Sequence, residues 1–243
     1  MSRFYAPGEN IKGNLIHIDG QEARHILNVM RLGSGDKVVV FDGTGKEYAG
    51  FIKEVKSKSL IVEIIKVKSP KKEILPAITL AQAIPKKQKM DYIVEKATEL
   101  GVSEIIPVIS ERTIVKVDEI KLDKRSRRWQ KIAEEAAKQC GRSDIPKIKK
   151  ADKFYNVISS VNDYDLSLIA HLAEERIPLK ESLIGFRNGK IIVFIGPEGD
   201  FTPEEILMAK ETPSKFISLG SRVLKSDTAG LYVLSILNYE LSN

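Results

Sequence analysis

Two stretches near the carboxyl end hold the residue types best suited to chemistry. IIVFIGPEGDFTPEEI (191–206) and FISLGSRVLKSDTAGLYVLSILNY (216–239) each read as a buried strand, a glycine-bearing loop and a helix. An ordinary α/β crossover needs one tight glycine turn. Neighbouring strands that both end in such loops point to a small-molecule site at the carboxyl ends of parallel strands. The first loop also reads as a well-made strand-to-helix connection, with Thr202 as N-cap, Pro203 at the first helical position and Glu205 completing a capping box. In the second loop Ser226 or Asp227 reads as a helix cap. Arg222, between Ser221 and Val223, has no such explanation. A charge in an apolar stretch is costly unless paired or functional, so Arg222 is either bridged to a carboxylate such as Asp227 or is a working cation.

Other chemistries are poorly served. No G-K-[ST] follows the GPEG turn and Glu198 would repel a phosphate, so it is no phosphate loop, and a dinucleotide fingerprint is absent too. His17, His25 and His171 are scattered without metal-ligand spacing, and no nucleophile elbow stands out. The single cysteine, Cys140, excludes an intrachain disulfide framework and suits the cytosol. The sequence MSRFYAPGEN lacks the apolar core of a secretory signal, and apolar runs such as 191–195 are too short to span a bilayer. The expectation is a cytoplasmic protein of one or two domains within 243 residues, with no metal and no membrane association.

The elements that must position the loops follow from periodicity. KVVVFDG (37–43) and KEYAGFIKEV (46–55) flank a Gly43–Thr44–Gly45 turn and predict a hairpin, with further strands at 14–18 and 59–67. Ala23, Ile26, Leu27 and Met30 recur at helical spacing before the stop at Gly33. Residues 1–70 therefore read as a small barrel-like β domain with one helix, and 69–76 as a linker. From 77 to 243 strands alternate with helices: AITLAQAI, VSEIIPVI, DLSLIAH, KIIVFIG and KFISLG are the strands. Between them lie a helix at KMDYIVEKATELG and an amphipathic one carrying Trp129, Ile132, Ala133, Ala136, Ala137 and Cys140. Continuous apolar strands between helices mean a parallel sheet covered on both faces.

Charge is unevenly spread. Residues 121–150 hold 11 Lys and Arg against 4 Asp and Glu, whereas 151–243 hold 9 against 13. Such local positive potential suits a polyanion such as RNA, or is the solvated face of a helix. Arg127, Arg128 and Arg142 are its candidate phosphate contacts. Arg24, His25 and Arg31 lie along the helix of the small domain, where RNA contact and plain surface exposure explain them equally. Lys86, Lys87 and Lys89 gather at a helix start, a poor place for cations by dipole logic, which favours an anionic partner.

The chain resembles the RsmE family of 16S rRNA (uracil-N3) methyltransferases, of the SPOUT class. The likeness runs nearly end to end, through RHILNVMRLGSGD (24–36), EKATELGVSEIIPV (95–108), RWQKIAEEAAKQCGR (128–142), IGPEGDF (195–201) and LGSRVLKSDTA (219–229). Asp200 departs from that pattern, where the family usually has a second glycine, as do Lys225 and Asp227, where Arg and Glu are common. The resemblance implies a PUA-like RNA-binding domain at 1–70 and, at 77–243, an α/β domain with a parallel sheet and a deep trefoil knot. It implies S-adenosylmethionine (SAM) bent among three loops: one at His171, one at Gly196, Pro197, Glu198 and Gly199, one at Leu219, Gly220, Arg222, Val223 and Leu224. Gly196, Gly199 and Gly220 would allow close backbone approach, and Leu219 and Leu224 would wall the adenine. Arg222 would stabilise the uracil anion. The partners implied are 16S rRNA within the 30S subunit and a second copy, in a homodimer to which the apolar helix 228–241 contributes. A different RNA nucleotide as target, or a non-catalytic RNA-binding or ribosome-assembly protein, are the alternatives.

Overall fold

The computed structural model describes residues 3–69, 76–86, 89–113, 119–172 and 175–241. Lys87 and nearly all of the expected linker lie outside them. The chain forms two compact units, one of 1–73 with 137–145, the other of 74–136 with 146–243. The sequence pattern alone divides the chain into 1–70 and 77–243 as unbroken stretches; the return of 137–145 to the first unit adds to that division.

In the first unit β1 (Arg3–Tyr5), β2 (Ile11–Lys12), β3 (Leu15–Asp19), β4 (Lys37–Phe41), β5 (Glu47–Val55) and β6 (Ser59–Lys68) make one sheet in the order β1–β4–β5–β6–β3–β2. Its pairings are antiparallel except β1 with β4. Burial alternates along β5 and β6, so Ile52, Leu60 and Val62 turn inward onto Phe4, Ile16 and Ile18. Gly50 sits at a bulge where a Cβ would lie 2.2 Å from the Glu63 carbonyl oxygen, so no side chain fits there. The helix α1 (Gly20–Arg24) brings Ala23 to this core and continues as a π turn, His25–Val29, which brings Ile26. The wider π turn interrupts the helical spacing of Ala23, Ile26, Leu27 and Met30, and Met30 is exposed. The returning segment is held by polar contacts: Arg3 donates to Ser143 Oγ (3.0 Å), and Lys138 pairs with Glu22 (2.8 Å).

The second unit contains β7 (Ala77–Ala83), α2 (Lys89–Glu99), β8 (Glu104–Ile109), α3 (Glu119–Cys140), β9 (Lys147–Ile148), β10 (Asp152–Lys153) and α4 (Phe154–Ser159). It continues through β11 (Leu166–Ala170), β12 (Ile177–Pro178), α5 (Leu179–Ser182), β13 (Lys190–Ile195), α6 (Pro203–Lys210), β14 (Lys215–Ser218) and α7 (Ser226–Leu241). The last residues of α3 belong to the first unit. Every described pairing in its sheet is parallel, in the order β10–β8–β7–β13–β11–β14–β12 with β9 beside β8. Strand residues alternate between two covered faces. Ala81, Ile192 and Phe194 pack with Phe154 of α4 and Ile206 and Ala209 of α6, while α7 lies on α2, β7 and β13. On α3 Trp129, Ala133, Ala136 and Ala137 are buried as their spacing predicts, but Cys140 is exposed near the helix end. No described helix is long and apolar enough to cross a membrane.

Strand order fixes where a site can form. From β7 the chain steps out to β8, reappears at β11 beyond β13, then fills the gap with β13 before adding β14 outside β11. The loops leaving β11, β13 and β14 therefore emerge side by side at the carboxyl edge, which is where open parallel sheets bind ligands.

Candidate functional site

Those three loops enclose a cavity of about 230 Å³. Its wall includes His171, Gly196, Pro197, Glu198, Leu219, Gly220, Arg222, Val223 and Leu224, so the sequence-selected residues converge except for Gly199. The Gly199 carbonyl turns aside to accept a hydrogen bond from Arg112. Leu172, Arg176, Asp200, Lys225 and Ser226 also line the cavity; the sequence marks Asp200 and Lys225 only as departures from the family pattern and Ser226 only as a helix cap, and it gives no sign of Leu172 or Arg176.

The loop after β13 is held from every side. Thr202 and Glu205 make the expected capping box, with Glu205 Oε2 accepting from Thr202 N at 2.8 Å. The other Glu205 oxygen accepts from Glu111 N (3.1 Å), in the turn after β8, so this carboxylate is 4% exposed yet satisfied. Glu198 accepts from Lys86 N at 3.2 Å, after β7. From α7, Ser226 Oγ donates to the Gly196 carbonyl at 2.6 Å and accepts from Gln82 Nε2 at 2.9 Å. Ser226 is thus a strut between β7, β13 and α7 as much as a helix start. The partner Gln82 is fully buried, and Gly230 lacks a Cβ that would approach its Oε1 to 2.9 Å.

Asp200 has a left-handed backbone, φ +60°. Its Oδ1 accepts from Phe201 N (2.8 Å) and its Oδ2 from Leu172 N (3.2 Å). His171 Nδ1 lies 2.8 Å from Oδ2, an ion-pair distance out of line for a hydrogen bond. Burial pushes the Asp200 carboxyl up, and the His171 ring with the Phe201 and Leu172 amides outweighs it, so the group titrates below the usual carboxylate value.

The loop after β14 is different. Between Leu219 and Leu224 the polar contacts among the described residues are those of Gly220 with Ser218 Oγ, at 3.3 Å. Arg222 is exposed and has no described partner; Asp227 instead pairs with Lys89 (3.1 Å). The bridge to Asp227 is therefore absent, and the exposed Arg222 bears no burial cost. The Lys89 pairing also accounts for a cation at the start of α2 without an anionic ligand.

The remaining basic candidates divide between the units. In the first, Arg24 and His25 are exposed around the α1–π junction, and Arg31, at φ +56°, lies beyond the helix instead of along it. Arg142 also belongs there, its side chain 15% exposed and paired with Asp144. In the second, Lys86 and Arg127 are exposed, and Arg128 pairs with Asp91. The basic run 121–150 is thus split by the fold.

The cavity suits a ligand carrying both signs of charge. Arg176, Arg222 and Lys225 stand against Glu198 and Asp200, with apolar walls from Leu219, Val223 and Leu224. The Gly196 position is tight: a Cβ would meet Asp200 Oδ1 at 3.1 Å.

Residues 72–238 match the family model described as an RNA methyltransferase domain, and 18–65 that of an RNA methyltransferase PUA domain. The chain is 30% identical to ribosomal RNA small subunit methyltransferase E of Bacillus subtilis, over 92% of this chain and 89% of that one. It is 31% identical to the protein of that name from Rickettsia conorii, over 96% and 93%. Among solved structures, ribosomal RNA small subunit methyltransferase E from Neisseria gonorrhoeae bound to S-adenosyl methionine superposes with a TM-score of 0.86. That pair is 30% identical, with 99% and 98% of the two chains covered.

Proposed function

The chain belongs to the RNA methyltransferase family, with that family's PUA domain and a SPOUT fold, and from this we propose that it methylates N3 of a uridine in 16S rRNA, using SAM, in the cytoplasm. The observation that carries the reading is the convergence of the loops after β11, β13 and β14 on one cavity of mixed charge and apolar wall. SAM has an ammonium and a sulfonium, a carboxylate and the apolar faces of an adenine ring, which match that lining. When bound it supplies an already activated methyl group, so the protein's task is alignment.

His171, Gly196, Pro197, Glu198, Leu219, Gly220, Val223 and Leu224 hold the cofactor in this reading, with Gly199 orienting the loop through Arg112. The uracil N3 proton must leave before or during attack. Arg222, exposed at the cavity and without a partner among the described residues, stabilises the resulting ring anion through the adjacent carbonyls. Arg24, His25 and Arg31 on the PUA unit and Lys86, Arg127 and Arg128 on the other meet RNA phosphates. A second copy docks through the outer face of α7, where Tyr232 and Tyr239 are exposed.

The decisive experiment incubates the pure protein with methyl-labelled SAM and undermethylated 30S particles and maps the label. Label at N3 of one uridine of 16S rRNA is expected. Label on another atom or another RNA would replace the substrate, and SAM binding without transfer would leave an RNA-binding protein.

A further inference from the structure

Asp200 commits its carboxylate to a neighbouring loop. The left-handed backbone there is one that glycine adopts without cost and other residues, Asp included, adopt with some strain. What offsets the strain is visible. One oxygen closes the local turn on Phe201 N, and the other reaches the amide of Leu172 and the ring of His171, both past the end of β11. Other ties on His171 are its own amide to the Ile217 carbonyl (3.3 Å) and Arg176 donating to its carbonyl (3.0 Å). These fix the backbone to β14 and to Arg176, and neither crosses to the loop after β13. Among the described residues, Asp200 makes the polar cross-tie between two of the three loops around the cavity.

We propose that Asp200 is a positioning residue which clamps the 171–172 wall to the 196–201 loop and so holds the cofactor cavity at its binding width before the cofactor arrives. This rests on the SAM reading of the cavity. Holding a wall in its bound position removes an ordering cost from binding. The clamp therefore acts on cofactor affinity, and the fold depends on it little: glycine at 200 removes the carboxylate's hydrogen bonds but also relieves the backbone strain, and the two effects oppose each other.

The test compares wild type, Asp200→Gly and Asp200→Asn. SAM affinity is measured by calorimetry, Tm by scanning, and hydrogen exchange at the Leu172 amide by NMR. Asp200→Gly is expected to change Tm by less than about 3 °C, to weaken SAM binding about tenfold, and to speed Leu172 exchange about tenfold or more. Asparagine tolerates the same backbone and keeps one acceptor oxygen, so Asp200→Asn should recover part of both the affinity and the protection. In turnover, KM for SAM should rise by a larger factor than kcat falls. Wild-type affinity in Asp200→Gly would overturn the clamp. So would a Tm loss above about 10 °C in both variants, which would make Asp200 a folding residue. Failure of the wild-type protein to bind SAM would instead remove the reading beneath it.

Discussion

The loop after β13 is bonded to the turns following β7, β8 and β11 and to the start of α7. The loop after β14 borders the same cavity, yet between Leu219 and Leu224 it keeps only its hydrogen bonds with Ser218 among the described residues, and Arg222 and Val223 stand exposed. The first loop is fixed by hydrogen bonds to its surroundings; the second has few such ties among the described residues. Preorganised groups bind without reorganising, whereas a mobile cation can follow charge that appears only as a reaction proceeds. In the proposed reading the first loop supplies shape and the second reactivity, and each half can be attacked separately.

The largest effect is expected at Arg222. Arg222→Ala should cut turnover about 10²–10³-fold while SAM affinity, measured by calorimetry, and Tm stay near wild type. Equal loss of binding and turnover would mean that Arg222 only shapes the cavity, and the contrast between the loops would lose its functional side. Next comes the structural side. Glu205→Ala strips acceptors from Thr202 N and Glu111 N at a buried site. Chemical denaturation should show about 2–3 kcal/mol lost, with SAM binding weakened as the loop loosens. A variant as stable as wild type would show that the capping box does not hold this loop. Ser226→Ala is milder, because the Gly196 carbonyl and Gln82 amide each lose one partner but keep their places in a packed core. A loss of about 1–2 kcal/mol is expected, and a negligible one would make the strut dispensable.

Much of this arrangement is readable from pattern. Alternation and helical spacing place the long strands and helices, because those patterns report which face of an element is apolar. The cavity residues follow from the glycine-bearing loops at successive strand ends. Other features depend on meetings between distant residues, which periodicity does not encode. Lys89 finds Asp227, Lys138 finds Glu22 and Gln82 finds Ser226, each pair more than a hundred positions apart. Those meetings explain the cation at a helix start, the return of 137–145 to the first unit and the strut at Ser226. Met30 misleads because a π turn inserts extra arc where the spacing assumes an α-helix. Arg222 stands out in the sequence on the cost of burying a charge, and it is exposed; the fold does not support that reason. Asp200 carries a signal, a non-glycine where the resembled family has glycine, and its meaning needs the φ angle and the position of Leu172.

The smallest effect should fall on Val223, and it tests the open loop most finely. Val223 is 73% exposed, so the folded protein gains little from its apolar surface, and Val223→Ser should leave stability within about 0.5 kcal/mol. The same side chain lines the cavity. If the loop settles onto bound SAM, part of that surface leaves water only in the complex, and its removal should weaken binding about threefold to fivefold. The deficit should be confined to affinity, read by calorimetry, with the melting curve unchanged. An unaltered dissociation constant would mean that Val223 stays in solvent when SAM is bound. The loop after β14 would then present Arg222 without closing over the cofactor, and its openness would serve access to the RNA base alone.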